Sequence, residues 1–136
     1  MTASTVTLAT SERRQFIDIT DEVARFVQGV PGAGAVLVAS LHTTAAITVN
    51  EGFDPFVVTD LLGALRPIAE RDDYRHEEGN SDSHLQVALL GSSQLVPCAD
   101  GALTLGRWQR IFFCEFDGPR RRRQVVLTAL AAHGAE

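Results

Sequence analysis

The longest apolar stretch of the chain, around Val36 to Leu41, is a handful of residues rich in valine and leucine. A membrane-spanning helix needs roughly 20 apolar residues, so no segment of this sequence reads as one. A short β-branched run with turn residues on either side is the signature of a buried strand. Gly32 and Gly34 mark the turn before it, and Ala35 to Leu41 reads as a central strand. The rest of the fold has to be built around that strand.

Further strand signals are spread along the chain. Thr5 to Ala9 and Gln15 to Ile19 read as two strands joined by a short turn at Thr10-Ser11-Glu12. Ala45 to Asn50, Gln94 to Pro97, Trp108 to Phe116 and Val125 to Ala131 follow, with turns at Asp100-Gly101 and Asp117-Gly118-Pro119. Helices are fewer. Thr20 is positioned to cap one, Asp21 and Glu22 favour its positive end, Val23, Phe26 and Val27 share a face, and Gly29 stops it. Asp54-Pro55 opens a second that should reach about Glu70, with Pro67 able to end or kink it. Arg71 to Ser83 is polar enough for a loop, and Asp82 or Ser83 is placed to cap a short helix from His84 to Leu90. Strands outnumber helices and are not regularly alternated with them. The expected class is α+β: one compact domain over residues 1–136, a mainly antiparallel sheet or sandwich with two to three helices.

The chain has 136 residues, 45% of them hydrophobic and 21% charged, which suits a single globular core. Its N-terminus lacks the zones of a signal peptide, so the expected location is cytoplasmic, with no membrane association. A net charge of -5 argues against a general nucleic-acid binder. Every cationic side chain is an arginine. Schiff-base catalysis and lysine-dependent phosphate loops are thereby excluded, and anion recognition falls to arginine forks, backbone amides or a metal. Cys98 and Cys114 sit in strand-like stretches without metal or redox spacing and read as small buried side chains.

The polar residues with chemical potential gather around His42, His76 and His84. Each is explicable alone, His42 as a hydrogen-bonded strand-end residue and the other two as surface residues of a polar loop. Taken together they also suit a shared site, because three neutral imidazoles leave a fourth position on zinc for water or substrate. Asp82 or Glu51 could orient one of them. Asn50-Glu51 stands at a strand-to-helix junction, where polar residues face clefts or serve as caps. Ser92 and Ser93 follow a predicted helix end, with hydroxyls and amides able to meet an anion. Trp108 reads as packing, Arg120 to Arg123 as a solvated hairpin tip, and His133 has no assigned role.

These stretches, read in order, resemble the YjbQ family of secondary thiamine-phosphate synthase-like proteins. The carrying residues are His42 to Glu51, Asp54-Pro55, Tyr74-Arg75-His76, Asn80 to His84, Leu89 to Ser93, Leu105-Gly106, Trp108-Gln109 and Arg121 to Val126. The resemblance covers nearly the whole chain; one departure is Ser81-Asp82-Ser83, where many members carry another histidine or a Met-Pro-Ala stretch. It implies a compact α+β homotrimer whose pocket is lined by His42, His76 and His84 as metal ligands, zinc or another transition metal suiting them best. His42, Glu51 and His84 are then the catalytic candidates. Thr43, Thr44, Ser92 and Ser93 would hold a small phosphorylated substrate or anion. The implied reaction is thiamine phosphate formation from a pyrimidine diphosphate and a thiazole phosphate, or related phosphate-ester chemistry. A non-catalytic trimer that holds a metal or anion is the alternative.

Overall fold

The computed structural model describes residues 2–132, so His133 lies outside the described residues. The order of elements is β1 (Ala3–Thr10), β2 (Gln15–Asp18), α1 (Thr20–Gln28), β3 (Ala33–Ser40), β4 (Ala45–Glu51), α2 (Pro55–Ala69), α3 (Ser81–Leu90), β5 (Ser93–Ala99), β6 (Ala102–Leu103), β7 (Gln109–Glu115) and β8 (Arg120–Ala131). Five strands form one sheet in the order β1-β8-β3-β5-β6, and three form another in the order β2-β7-β4. Every pairing is antiparallel. The class is α+β, as the strand-rich pattern requires.

The two sheets face each other across the main core. Val36 and Val38 of β3, Val125 and Leu127 of β8, Ile47 of β4 and Phe113 of β7 meet there, joined by Val23 and Val27 of α1. Alternation along β7 and β4 sends the neighbouring residues, Phe112 and Ala46, to a second cluster under α2 and α3. The three-stranded sheet is thus buried on both faces. The five-stranded sheet is covered on one only.

Several local expectations change. β1 and β2 do not pair as a hairpin: β1 adds to β8 in one sheet and β2 to β7 in the other. Segment 11–14 therefore crosses between layers. Thr20 is the first helical residue rather than the cap, and its Oγ1 instead accepts from the Ile111 amide while its own amide donates to Asp18. The third helix begins earlier than expected, at Ser81 with Asn80 as its N-cap residue. Ser83 is fully buried there, and its hydroxyl donates to the Phe116 carbonyl, which anchors the helix to the end of β7. Asp54 caps α2 by accepting from the Phe56 amide, and that helix runs through Pro67 to Ala69.

The largest correction concerns the arginine run. Arg123 is not solvated: it is 5% exposed and pairs with the fully buried Glu115 carboxylate. Strand alternation explains this, because Arg123 shares the inward face of β8 with Val125 and Leu127. Cys98 and Cys114 are buried free thiols, as expected. No helix among the described residues is long and apolar enough to cross a membrane.

Candidate functional site

The β3–β4 connection, the first half of α3 and the start of β8 converge at one end of the molecule. Between them lies a depression with two adjoining lobes of about 490 and 410 Å³. His42, Thr43 and His84 line both lobes. Ser92 belongs to the first, and Thr44, His76, Asn80, Arg120 and Arg123 to the second. The three histidines anticipated from sequence therefore share one concavity. The His76 and His84 rings stand edge to face with centroids 5.3 Å apart.

Hydrogen bonds fix what His42 and His84 can do. The Gln124 amide donates to His42 Nε2 at 2.8 Å, so that nitrogen carries no proton and Nδ1–H is the ring's remaining donor. Burial and the nearby Arg123 cation hold the His42 imidazole below the ordinary histidine range, against the pull of the Glu115 carboxylate. His84 is held the other way round. Its Nδ1 lies 3.0 Å from the Thr43 carbonyl, which can only accept, so Nδ1 bears the proton and neutral His84 keeps a lone pair on Nε2. One imidazole offers a proton donor and its neighbour an acceptor.

A buried network sets the position of the connecting loop. Arg123 donates to both Glu115 oxygens and, through Nη2, to Thr44 Oγ1 at 2.9 Å. Thr10 donates to the same carboxylate at 2.7 Å. Burial alone would push the Glu115 carboxyl up, but the bonds from Arg123 and Thr10 outweigh it and leave the group below the usual carboxylate range. On the rim, Asp117 accepts from Asn80 and Arg120 and pairs with Arg13. Asn80 Oδ1, buried at the wall of the second lobe, has no partner among the described residues. A buried acceptor without a donor is costly, so Asn80 is held at that wall at the expense of one unmade hydrogen bond.

Three expected residues are placed elsewhere. Glu51 ends β4, where its carboxylate accepts from the Phe53 and Asp54 amides. That is the far end of β4 from the histidines, roughly 20 Å away at 3.4 Å per strand residue. Trp108 lies beside it against Phe53, with ring centroids 5.6 Å apart. Ser93 pairs with Ala39 inside the five-stranded sheet and does not line the depression. Asp82 is engaged by Arg13 rather than by a histidine. Arg120, Arg123 and Asn80 are the site residues that sequence reasoning passed over. For Arg123 the signal was present, since the inward alternation of Leu127 and Val125 extends to it.

The three-imidazole metal set does not fit this arrangement. With Nε2 engaged by Gln124 and Nδ1 protonated, His42 has no lone pair to give an ion. Among the described residues no group of three or more His, Cys, Asp or Glu stands as a metal cage.

Comparison with known proteins places this geometry in a family. The family model described as UPF0047 protein YjbQ-like matches residues 4–132. The UPF0047 protein YugU of Bacillus subtilis is 45% identical over 122 residues, covering 87% of this chain and 92% of its own. A UPF0047 protein of Archaeoglobus fulgidus is 44% identical over 124 residues, covering 89% and 96%. Among solved structures, an uncharacterized conserved protein of the same family from Clostridium acetobutylicum superposes with a TM-score of 0.88 at 45% identity, covering 93% of this chain and 99% of that one. A YbjQ-like protein of unknown function from Sulfolobus solfataricus gives 0.89 at 30% identity, covering 96% of each. On that match over nearly its whole length, the chain belongs to the YjbQ-like UPF0047 family.

Proposed function

We propose that the histidine depression binds a small phosphorylated molecule and carries out acid–base chemistry on it. The observation that carries this reading is the opposed protonation of the two imidazoles: His84 Nε2 is available as a base, and His42 Nδ1–H as a donor. Phosphate oxygens are acceptors, and the depression offers them the Thr43 and Ser92 hydroxyls and Arg120 at the rim. In ester hydrolysis, His84 would take a proton from the attacking water as its oxygen bonds to phosphorus, and His42 would donate a hydrogen bond to a phosphoryl oxygen. The ester P–O bond would break with its electron pair going to the leaving oxygen, which regains a proton from the His84 imidazolium and departs as the alcohol.

The thiamine-phosphate reaction asks for something different. There the carbon–oxygen bond to diphosphate breaks, the thiazole nitrogen bonds to that carbon, and the diphosphate departs with the electron pair. No base is needed. The same donors would stabilise the departing diphosphate, but His84 would be dispensable.

Replacement of His84 with alanine separates the two. Under the acid–base reading, turnover of phosphate esters falls by about 10²–10⁴-fold, the range for a lost general base. Retention of hydrolysis by His84→Ala defeats it. Thiamine phosphate formation that persists in His84→Ala and falls in Arg120→Ala supports the transfer reaction instead.

A bound zinc or other transition metal has support, among the described residues, at the neighbouring His76 and His84 rings, and would need further ligands besides these two. Metal analysis of purified protein, with Gln124 amide chemical shifts read before and after zinc addition, tests it. A three-copy assembly, which the family resemblance implies, is checked by the mass in solution. The expected value is three times 14.7 kDa.

A further inference from the structure

The two lobes of the depression differ in what they offer a ligand. Leu41, Val87 and Ala88 give the first lobe apolar surface, and no Asp, Glu or Arg side chain lines it. Arg120 and Arg123 both belong to the second lobe. His42, Thr43 and His84 stand where the two meet.

Arg123 is the one buried arginine among the described residues, with a side chain 6% exposed. Three hydrogen bonds fix its guanidinium: Nε and Nη2 donate to the Glu115 carboxylate, and Nη2 also to Thr44. Its other terminal nitrogen, Nη1, has no partner among the described residues. Arg14 Nε and Asn80 Oδ1 are unpartnered atoms sealed away from solvent, but Arg123 Nη1 is not sealed. It therefore opens on the space that Arg123 lines, the second lobe.

A guanidinium held in this way presents a directed N–H without the loss of side-chain freedom that an unrestrained arginine suffers on binding. Its charge is matched by Glu115, so it brings the lobe a donor rather than a surplus of positive potential. Arg120 is held similarly, through Nε to the Asp117 carbonyl and Nη2 to the Asp117 carboxylate, and its Nη1 is also unengaged among the described residues. The carboxylate lining this lobe, Glu78, is 73% exposed, where water and salt screen its repulsion.

We propose that the second lobe seats a phosphoryl group on Arg123 Nη1 while the first lobe seats an uncharged organic group, so that the ligands are phosphate monoesters of small uncharged alcohols. The ester oxygen then lies at the junction, beside His42 and His84. Ser92, in the first lobe, meets the organic group rather than the phosphate. A charged organic group is disfavoured, because the first lobe holds no counter-ion for it. A diester is disfavoured as well, since its second organic group would displace water from arginine and imidazole without replacing the hydrogen bonds. This placement rests on the depression being the phosphate site, and it adds which end of the ligand each lobe takes.

Calorimetry with inorganic phosphate and with benzylphosphonate, an ester mimic whose P–C bond does not hydrolyse, tests the placement. Wild type should bind benzylphosphonate at least tenfold more tightly than phosphate. Arg123→Lys keeps a cation for Glu115 but has no second terminal nitrogen to turn to the lobe. Both ligands should then weaken by at least tenfold, the loss of one charge-assisted hydrogen bond. The ratio between them should keep its wild-type value, because the first lobe is untouched. Ala88→Phe, at an exposed position of α3, fills the first lobe instead. It should bind phosphate as wild type does and benzylphosphonate no more tightly than phosphate.

A folded Arg123→Lys with wild-type phosphate affinity, or with an altered ratio, overturns the proposal. So does a wild type that binds both ligands equally. Should Arg123→Lys fail to fold, Ala88→Phe decides: equal weakening of both ligands would put the phosphoryl group in the first lobe and overturn the placement. Hydrolysis retained by His84→Ala would defeat the acid–base reading and leave the two subsites standing. A wild type that binds neither ligand defeats the phosphate reading and the placement together.

Discussion

Glu115 and Arg123 show how much one residue pair determines. Both are buried, and their mutual hydrogen bonds, with Thr10 and Thr44 as further partners, leave neither charge unpaired. Such a pair is costly to break from one side, because the remaining charge stays desolvated. Arg123→Met should therefore lower stability by about 3–5 kcal/mol, read as a reduced urea midpoint. Pairing it with Glu115→Gln should recover part of that loss, since no buried charge then remains. A double variant less stable than the single one would mean that the carboxylate matters for more than charge balance.

His42 makes a second prediction at this scale. Its folded-state imidazole is held below its unfolded value of about 6.5, so the unfolded chain binds more protons between the two. The stabilisation that depends on neutral His42 is then complete above pH 6.5 and is lost as pH falls through the lower, folded value. One proton gives a slope no steeper than about 1.4 kcal/mol per pH unit. His42→Gln keeps an acceptor for the Gln124 amide but does not titrate. Its stability curve, measured by urea unfolding at a series of pH values, should be flatter than that of wild type below pH 6.5. Parallel curves would count against burial and Arg123 holding the folded-state imidazole neutral.

At the scale of elements, local chemistry was legible wherever the signal lies within a few residues. Asp54-Pro55 opens α2 as the cap rule requires, and β3 and β4 fall almost where their composition puts them. Pairing partners were less legible. The short connection 11–14 suggested a hairpin, yet β1 and β2 separate into different sheets because their partners, β8 and β7, come from the far end of the chain. Nothing near Thr10 encodes that. The start of α3 is hidden in the sequence for a related reason: Ser81 to Ser83 looks like a polar loop until the buried Phe116 carbonyl is there to accept from Ser83. The histidine site was legible as residue identities but not as a geometry. His42, His76 and His84 converge as expected, whereas Glu51, equally prominent in sequence, ends β4 on the side away from them. The tautomers that give His42 and His84 different roles depend on Gln124 and Thr43, and only the fold brings those groups within reach.

The whole molecule depends on β7, the middle strand of the three-stranded sheet, because its consecutive side chains supply both cores. Phe113, fully buried, joins the cluster between the sheets, and Phe112 joins the one beneath α2 and α3. Removing either ring leaves a cavity in one layer while the backbone ties it to the other. Phe113→Ala should cost about 3–5 kcal/mol, a large share of the 5–15 kcal/mol typical of a domain this size. Because β7 couples the layers, the loss should appear as one earlier unfolding transition. Far-UV circular dichroism and the fluorescence of Trp108, just before β7, should report the same midpoint. Two separated midpoints in Phe113→Ala would show that the helical layer, with the wall of the depression it provides through His84, holds together independently of the core between the sheets.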